Sequence, residues 1–373
     1  MRVGLVVPGG FDPDVDVATI PVLRSLAQEL ARRHQVQVFA SAGRQPGAYQ
    51  VGPIAVTQLG PRAAPGERRR LGGARLAAAF ARWLGTAGPF DVLHAFWADR
   101  AALLVTVFAR AASIPSVVSL GGGELAWLPD IPYGGAGSAR SRAVTRGALR
   151  LAGAITAGSS FVARLLPPAL AGRAQLVPLG VDVARFDAAP ARPAGPPWRL
   201  LHVANLNEVK DQPTLLRAFR RVVDRLGDVR LDCVGEDALG GQIQTAAVEL
   251  GLSDRVTFHG FLPQEPLAAL YRRAHLNVLS SRHESQGVVI LEAAAAGLPT
   301  VGTRVGLLDT LSPAAARAVP VRDATALADA ITALLVDATA REALGAAAQR
   351  FARDHDVGWT ARAFESLYAR LSS

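Results

Sequence analysis

Short runs of β-branched residues alternate with amphipathic stretches along the whole chain. The clearest amphipathic stretch places Ile20, Leu23, Leu26, Ala27 and Leu30 three and four residues apart, which is the period of a helix. Strands that alternate with helices form βαβ units, and these units build mainly parallel sheets. Because 373 residues exceed one ordinary core, the pattern predicts an α/β protein with two doubly wound, Rossmann-like domains.

A proline-rich segment interrupts this alternation near the middle of the chain. Five prolines lie from Pro178 to Pro197, with few periodic residues among them, which is typical of a linker. Ligands bind beyond the carboxyl ends of parallel strands, so we expect the two domains to face each other across a cleft that holds the ligand. The expected parts are an N-terminal domain over 1–185, a linker over 186–197, a C-terminal domain over 198–356 and a last helix, about 357–373, that packs back on the first domain.

The charge of the chain favours an anionic ligand over nucleic acid. The formal net charge is +9, but the basic residues are spread along the whole chain. No zinc-ligand, RNP or basic-zipper pattern accompanies them, so we expect no nucleic-acid partner. Lys210 is the only lysine among 40 basic residues. Where arginine is the usual cation, a single lysine marks a candidate site for a compact point charge.

Several features bear on where the protein acts. The longest apolar stretch, Ala101 to Ala109, is about half of the roughly 20 residues that a membrane span needs. No signal peptide is visible, and the single cysteine, Cys233, fits a reducing compartment. We therefore expect a cytoplasmic protein. The arginine-rich segment 67–84 suggests peripheral contact with an anionic membrane at the inner face, and a solvated helix face over the core is the other interpretation.

The strongest local signal is a pair of glutamates eight positions apart, Glu284 and Glu292. Gly297 and Pro299 stop a helix that we expect over about Gly287 to Ala296. Its first backbone N–H groups and its dipole favour a phosphate, and Glu284 lies just before it. Glu292 lies within an apolar helix, which is costly without a hydrogen-bond partner. The alternative is that Glu284 caps the helix and Glu292 pairs with a buried arginine.

A second signal surrounds the lone lysine. A strand is expected to end near Asn205, Lys210 follows in a loop, and Pro213 lies in the first turn of a helix. From that loop a lysine can reach a diphosphate and neutralise the charge that develops on a leaving group. The alternative is an ordinary solvated loop lysine.

These two segments resemble glycosyltransferase family 4, also called group 1, whose members have the GT-B fold and retain the anomeric configuration. The resemblance covers nearly the whole chain and is more specific in the C-terminal half. Further matching landmarks are Asp91-Val92-Leu93-His94, Ile114-Pro115-Ser116-Val117-Val118, Val177-Pro178-Leu179-Gly180-Val181-Asp182, Val234-Gly235-Glu236 and Val256-Thr257-Phe258-His259-Gly260-Phe261.

The resemblance implies a hexosyltransferase-type enzyme that moves a sugar from a nucleotide-diphosphate donor, as substrate and not cofactor, without a bound metal. Lys210 would bind the diphosphate, Glu284 the hydroxyls of the transferred sugar and Glu292 the ribose. The backbone N–H groups of Ser285, Gln286, Gly287 and Val288 would take a phosphate. The acceptor would be a sugar, a lipid-linked group or a small molecule, in the biosynthesis of a polysaccharide or glycoconjugate.

Two departures from the family pattern bear on activity. The usual Gly-Arg after the first donor-domain strand is Ala204-Asn205 here, so one positive charge is missing beside the diphosphate. The usual acceptor-side Thr-x-His-Gly is replaced by Ser119 to Glu124, which contains no histidine. A catalytically impaired sugar-nucleotide-binding protein and a nucleotide-sugar hydrolase therefore stay open. A Rossmann oxidoreductase is not expected, because no Gly-x-Gly-x-x-Gly follows a candidate strand.

Five residues outside the two main segments complete the candidate set for the cleft. Each of them is expected near the carboxyl end of a strand, where a ligand would lie. Gly9 and Gly10 can equally form a plain turn. His94 can equally be a buried histidine whose hydrogen bonds are satisfied. The five are Gly9, Gly10, His94, Gly121 and His259.

Overall fold

The computed structural model describes residues 1–13, 20–60, 73–187, 192 and 194–372. The chain divides into two compact units, Met1–Leu179 with Val357–Ser373, and Gly180–Asp356. The predicted α/β class, with one mainly parallel and doubly wound sheet in each unit, is confirmed.

Fourteen strands form the two sheets in the described residues. In chain order they are β1 (Arg2–Val7), β2 (Gln35–Ala40), β3 (Gly47–Val51), β4 (Ile54–Gln58), β5 (Val92–Phe96), β6 (Ser116–Leu120), β7 (Ala154–Ala157), β8 (Ala174–Leu176), β9 (Trp198–Val203), β10 (Val229–Val234), β11 (Val256–Phe258), β12 (Leu276–Leu279), β13 (Thr300–Thr303) and β14 (Arg317–Val319).

The helices of the described residues separate most of these strands. In chain order they are α1 (Pro21–Ala31), α2 (Gly73–Ala87), α3 (Arg100–Ala111), α4 (Ala139–Leu151), α5 (Ser160–Ala163), α6 (Val183–Phe186), α7 (Gln212–Leu226), α8 (Gln242–Glu249), α9 (Gln264–Arg273), α10 (Val288–Ala295), α11 (Leu307–Leu311), α12 (Ala324–Val336), α13 (Ala338–Asp354) and α14 (Val357–Ser372).

The sheet of the first unit has the strand order β3-β4-β2-β1-β5-β6-β7-β8. All neighbours pair in parallel except β3, which runs antiparallel to β4. The order reverses between β1 and β5, so a crevice is expected beyond their carboxyl ends. Phe39, Phe80 and Trp83 form the aromatic part of the core, with ring centroids 5.5 Å apart.

The sheet of the second unit has the order β11-β10-β9-β12-β13-β14 and is parallel throughout the described residues. Its reversal lies between β9 and β12. Leu215, Phe219 and Val222 of α7 are completely buried against this sheet and belong to the core. That apolar face explains why the helix forms where the three- and four-residue spacing places it.

The C-terminal helix α14 belongs to the first unit. The hydroxyl of Thr360 donates to the carbonyl oxygen of Pro178 at 2.7 Å, and Phe364 and Tyr368 are completely buried. Tyr368 is near the C-terminus in sequence but contacts the sheet of this unit, because its hydroxyl is 2.7 Å from Nδ1 of His94 in β5. The helix therefore closes the core of this unit.

The boundary between the units differs from the expected one. Residues 180–185 are expected in the N-terminal domain and Phe186 in the linker, but Val181 and Phe186 are buried in the core of the second unit, where Phe186 lies edge-on to Tyr271 with centroids 5.7 Å apart. Their apolar side chains thus begin the second unit before the prolines. Of the predicted linker, residues 188–191 and 193 lie outside the described residues.

The predicted membrane-contacting segment 67–84 is described only from Gly73, and its residues 67–72 lie outside the described part. Phe80 and Trp83 of α2 face the core, as the solvated-face interpretation requires. In the part of the chain that the structure describes, none of the helices is both long and apolar enough to cross a membrane.

Candidate functional site

The reversal of strand order in the second unit brings the two main sequence signals together. Asn205 follows β9, and the segment from Ser280 to Glu284 follows β12. These strands are neighbours in the sheet although more than 70 residues separate them in the chain. At such a switch point the following helices lie on opposite faces of the sheet and leave a crevice, where ligands of open parallel sheets bind.

Lys210 and Glu284 meet in this crevice. Nζ of Lys210 lies 2.5 Å from Oε1 of Glu284, and the hydroxyl of Ser281 donates to the same oxygen at 2.7 Å. The side chains of Lys210 and Glu284 are 22% and 13% exposed, so both remain reachable from solvent. The hydroxyl of Ser280 also donates to the carbonyl oxygen of Lys210 at 2.7 Å, which fixes the lysine loop against β12.

The ion pair keeps Glu284 charged. Burial alone would raise the pKa of Glu284, but the charge and hydrogen bond of Lys210, with the hydroxyl of Ser281, outweigh burial and hold the pKa below its ordinary value. Ser281 is a residue that the sequence analysis did not single out, although it lies only three residues before Glu284. The crevice therefore holds a carboxylate and an ammonium group beside each other.

The N-terminus of α10 opens onto the same segment. Gly287 is its N-cap residue, with φ +80°, and has no side chain with which to cap the helix. Such a left-handed conformation favours glycine. Ser285 and Gln286 are buried before it, and the carbonyl oxygen of Gln286 accepts from the backbone N–H of Leu307 at 2.8 Å. The backbone N–H groups and the dipole of a helix start suit an anionic group.

Glu292 has a partner that differs from the arginine considered above. The hydroxyl of Tyr271 donates to Oε2 of Glu292 at 2.8 Å. Burial raises the pKa of Glu292, and the hydrogen bond from Tyr271 opposes the rise. The interpretation that Glu284 caps the helix and Glu292 pairs with an arginine is wrong for both residues within the described part of the chain. Tyr271 has no signal in the sequence that could reveal this role.

Asn205 lies exposed directly beyond β9 but is held in a loop contact. Its Oδ1 accepts from the backbone N–H of Glu236 at 3.1 Å, and its carbonyl oxygen accepts from Nε2 of Gln212 at 3.1 Å. The side chain therefore fastens the loops after β9 and β10 to each other. His259 beyond β11 is also held, because its Nε2 lies 2.7 Å from Oδ1 of Asp232.

In the first unit, His94 does not contact a crevice. It is completely buried, with Nδ1 2.7 Å from the hydroxyl of Tyr368 and Nε2 2.7 Å from that of Ser119. Burial lowers the pKa of His94 to about 3, so it is neutral. The candidate role of His94 in ligand binding is wrong, because the polar atoms of its ring are occupied within the core.

Gly9, Gly10 and Gly121 do lie beyond strand ends of the first unit. Gly9 and Gly10 are buried after β1, and Gly121 is exposed after β6. The backbone N–H of Gly121 donates to Glu124 at 3.1 Å, and that of Gly122 donates to it at 2.8 Å. The glycine run thus forms a cradle around one carboxylate, a role that sequence reasoning missed although the triple glycine marks the place.

A cavity of about 690 Å³ lies beyond the carboxyl ends of β5 and β6. Burial raises the pKa of Glu124 in its wall, although backbone hydrogen bonds oppose the rise. The opposite part is lined by Arg100, the first residue of α3, and by Arg140, the second residue of α4. Neither arginine has a carboxylate within ion-pair distance among the described residues. The cavity therefore combines two arginines with the carboxyl groups of Asp99 and Glu124.

No group of three or more histidine, cysteine, aspartate or glutamate side chains placed to hold a metal ion occurs in the residues that the structure describes.

Family models match both units. A model of glycosyl transferases group 1 matches residues 197–337, and a model of glycosyltransferase family 4 matches residues 21–185. Together the two stretches span about four fifths of the chain. The chain belongs to this glycosyltransferase family, as the resemblance predicts.

Curated relatives support the same family. The chain is 34% identical over 216 residues to D-inositol 3-phosphate glycosyltransferase of Corynebacterium jeikeium, covering 53% of this chain and 52% of the relative. It is 32% identical over 192 residues to glycogen synthase of Mycobacterium tuberculosis, covering 51% and 46%. The chain spans about half the length of the curated relatives it matches.

Solved structures show the GT-B fold. Sucrose-phosphate synthase of Thermosynechococcus elongatus matches with a TM-score of 0.83 at 23% identity, covering 100% of this chain and 99% of that one. HepE of Anabaena, solved in complex with UDP and glucose, matches with a TM-score of 0.76 at 20% identity, covering 99% and 100%. At these identities the likeness concerns the fold, which is the predicted one.

Proposed function

We propose that the protein transfers a sugar from a nucleotide-diphosphate donor to an acceptor hydroxyl, with retention of configuration and without a metal at the diphosphate. The observation that carries this proposal is the Lys210–Glu284 pair at the switch point of the second sheet, 2.5 Å apart and beside the start of α10. A cation, a helix start and a carboxylate in one crevice suit a donor with a diphosphate at its centre and a sugar at one end.

Lys210 and α10 would stabilise the leaving group. The bond between the sugar and the diphosphate breaks, and negative charge grows on the diphosphate oxygen. Lys210 supplies a full positive charge, and the helix start adds about half a charge with its N–H groups. Removing one such stabilising group typically costs about 10² to 10³ in turnover. Lys210 and the start of α10 lie beside the same segment, Ser280 to Glu284, which supports catalysis without a metal ion.

The two glutamates would hold the two ends of the donor. Charged Glu284 can accept hydrogen bonds from the hydroxyls of the transferred sugar, and Glu292 can do so from the ribose. The four residues Glu284 to Gly287 would thus contact both the transferred sugar and a phosphate. Glu284 lies before α10 and Glu292 within it, so the two carboxylates can contact different parts of one nucleotide sugar.

Retention is proposed from the resemblance to family 4 and not from a contact in the site. The acceptor oxygen would attack the face from which the diphosphate departs, so that the new bond replaces the old one on the same side. The acceptor hydroxyl would pass its proton to the departing diphosphate. Measuring the anomeric configuration of the product by NMR tests this step by itself.

We place the acceptor in the cavity of the first unit that Glu124, Arg100 and Arg140 line. Glu124 would accept a hydrogen bond from an acceptor hydroxyl, and the arginines would favour an acceptor with a phosphate or carboxylate. The name of the relative from Corynebacterium jeikeium includes an inositol phosphate, which is consistent with an anionic small molecule. The volume of about 690 Å³ suits a small molecule or the end of a larger one.

A donor panel tests the proposed function. UDP, ADP, GDP and TDP are titrated in a thermal-shift assay, and the matching nucleotide sugars are then incubated with cell extract, with and without EDTA, under mass-spectrometric detection. We expect one diphosphate to stabilise the protein and one sugar to be transferred in either condition. Binding without consumption would instead indicate an impaired binding protein, and release of free sugar into water would indicate a hydrolase.

A further inference from the structure

A second cavity, of about 550 Å³, lies at the opposite edge of the sheet in the second unit. Trp198 begins β9, His275 comes just before β12 and Pro299 just before β13, and all three line this cavity. They mark the amino edge of the sheet, whereas the Lys210–Glu284 site lies at the carboxyl edge. The cavity is therefore separate from the proposed donor site.

Two arginines line the cavity, and each caps the end of a helix. The guanidinium of Arg192 donates to the carbonyl oxygens of Ala296 and Gly297, at 2.5 and 2.9 Å, at the end of α10. The guanidinium of Arg341 donates to the carbonyl oxygens at the end of α12, at 2.7 and 2.8 Å. These bonds hold both groups in fixed positions.

The charge of the two arginines is only partly compensated. Neither has a carboxylate within ion-pair distance among the described residues, and Glu342 at the rim is exposed. Burial and the charge of Arg341 lower the pKa of Arg192 to about 10, so the two cations repel each other. A helix C-terminus supplies about half a negative charge. Two such ends compensate about one of the two positive charges, and the exposed carboxylates of Glu342 and Asp337 also attract Arg341.

A hydrogen-bond donor without a partner also lies at the cavity. Nε of Arg192 is buried and has no hydrogen-bond partner among the described residues. A buried donor without a partner is unfavourable, so a ligand that accepts from it would stabilise the complex. Nδ1 of His275 accepts from the backbone N–H of Arg199 at 2.9 Å, which fixes the ring in the wall of the cavity.

An aromatic wall completes the cavity. The guanidinium of Arg341 lies 5.0 Å from the ring centroid of Trp198, and His275 is edge-on to that ring at 5.0 Å. The guanidinium of Arg341 thus lies between the end of α12 and the indole. A planar fork in a fixed position is the group that recognises phosphate oxygens in pairs.

We propose that this cavity binds a phosphate monoester of a small organic molecule, with its phosphate between Arg192 and Arg341 and the organic part against Trp198. The site is joined to the donor site by one element, because Arg192 caps the end of α10 and α10 begins at the donor site. The binding claim itself does not depend on the transferase function.

The indole N–H signal of Trp198 gives a local test. The full chain is labelled with ¹⁵N, and the signal is assigned among the five tryptophans by loss in Trp198→Phe. Inorganic phosphate is then titrated at constant ionic strength, with chloride as reference. We expect a saturable shift of the Trp198 signal that chloride does not produce. A linear shift, equal for both anions, would overturn the proposal.

Variants distinguish a binding role from helix capping. Arg341→Gln should weaken phosphate binding about tenfold, the effect of losing one charged hydrogen bond. Glu342→Gln should strengthen it, because a negative charge leaves the rim, and helix capping alone predicts no such gain. The matched control is Arg225→Gln, since Arg225 pairs with Asp329 on the surface and lies outside the cavity. Equal affinity in the Arg341 and Arg225 variants would refute the site, and a thermal melt without phosphate checks that each variant folds.

Discussion

Nζ of Lys210 lies 2.5 Å from Oε1 of Glu284, although 74 positions separate the two residues in the chain. The pair connects the loop after β9 to the segment after β12, which are neighbouring strands of the second sheet. In the absence of a ligand, the cation and the carboxylate thus neutralise each other. A donor with both a diphosphate and hydroxyl groups can bind both of them, and a simple anion only one.

Loss of either member of this pair should abolish turnover. Lys210→Ala removes the charge that neutralises the leaving diphosphate, and Glu284→Ala removes the acceptor for sugar hydroxyls. Each is expected to lower kcat by about 10² or more. The double variant should lose at least the product of the two effects, because the two side chains contact different parts of the donor and each single change also removes the pair that competes with it. Steady-state kinetics with the donor found in the panel measures these values.

The matched control for the pair is Glu208→Gln. Glu208 is exposed in the same short turn as Lys210 and has no part in the pair. We expect its kcat to stay within a factor of about two and its circular dichroism melt to match that of the wild type. Near-normal turnover in Lys210→Ala would contradict the assignment.

Local chemistry explains why much of the fold can be predicted from the sequence. Helix α10 is expected over about Gly287 to Ala296 and is observed over Val288–Ala295, because glycine and proline mark its end and apolar residues its body. The antiparallel edge strand β3 is not predicted. Its sequence, Gly47–Val51, contains one β-branched residue, and pairing with β4 decides its conformation.

The site is predictable only to the level of its residues. The type and spacing of Lys210, Glu284 and Glu292 indicate a donor site, but their contacts depend on which strands become neighbours. The hydroxyl of Tyr271 reaches Glu292 from a different helix, which no local pattern encodes. His94 fits two interpretations in the sequence, and only the packing of Tyr368 against it decides that it is structural.

Gly306→Ala should weaken donor binding through a steric effect. Gly306 has φ +57°, and a Cβ there would lie 2.6 Å from the carbonyl oxygen of Gln286 and 2.9 Å from Cβ of Glu284. The segment before α10 would have to move, so we expect the affinity for the nucleoside diphosphate to fall about tenfold or more. Isothermal titration calorimetry measures this affinity.

The control separates contact from backbone strain. Gly251→Ala also places an alanine at a positive φ, +65°, but its Cβ would meet only Nη1 of Arg220, at 4.0 Å. Both variants should lose stability from the positive φ, and Gly306→Ala should lose more because its ψ of −135° lies outside the left-handed helical region. Only Gly306→Ala should lose affinity. An equal affinity in the two variants would show that Gln286 and Glu284 are not part of the donor site.

His94 should make stability depend on pH. Burial lowers the pKa of His94 from 6.5 to about 3 in the folded state, so between these values the unfolded chain binds one proton more. The stabilising contribution is present above pH 6.5, and it falls by about 1.4 kcal/mol for each pH unit below that value. Urea unfolding of the wild type and of His94→Gln at several pH values measures the slope.

In His94→Gln this part of the slope should disappear, while the variant is less stable at neutral pH by about 1–3 kcal/mol, because Tyr368 and Ser119 lose a buried partner. The free energies of the two proteins should therefore converge as the pH falls. His202 has a pKa lowered to about 4 by burial and is present in both, so its contribution cancels. Parallel curves would contradict the assignment of the proton to His94.

Arg140 should matter for an anionic acceptor and for nothing else in the reaction. Arg140 is exposed in the first turn of α4 and lines the cavity of the first unit, so Arg140→Gln should leave the fold intact. We expect KM for a phosphorylated acceptor to rise about tenfold, with kcat, the KM of the donor and the KM of a neutral acceptor unchanged.

Arg146→Gln is the control, because Arg146 is exposed on the same helix but does not line the cavity. If the two variants have the same KM, the acceptor does not bind through the charge of Arg140; if KM rises equally for charged and neutral acceptors, the arginine acts through shape, and the anionic class of acceptor is wrong.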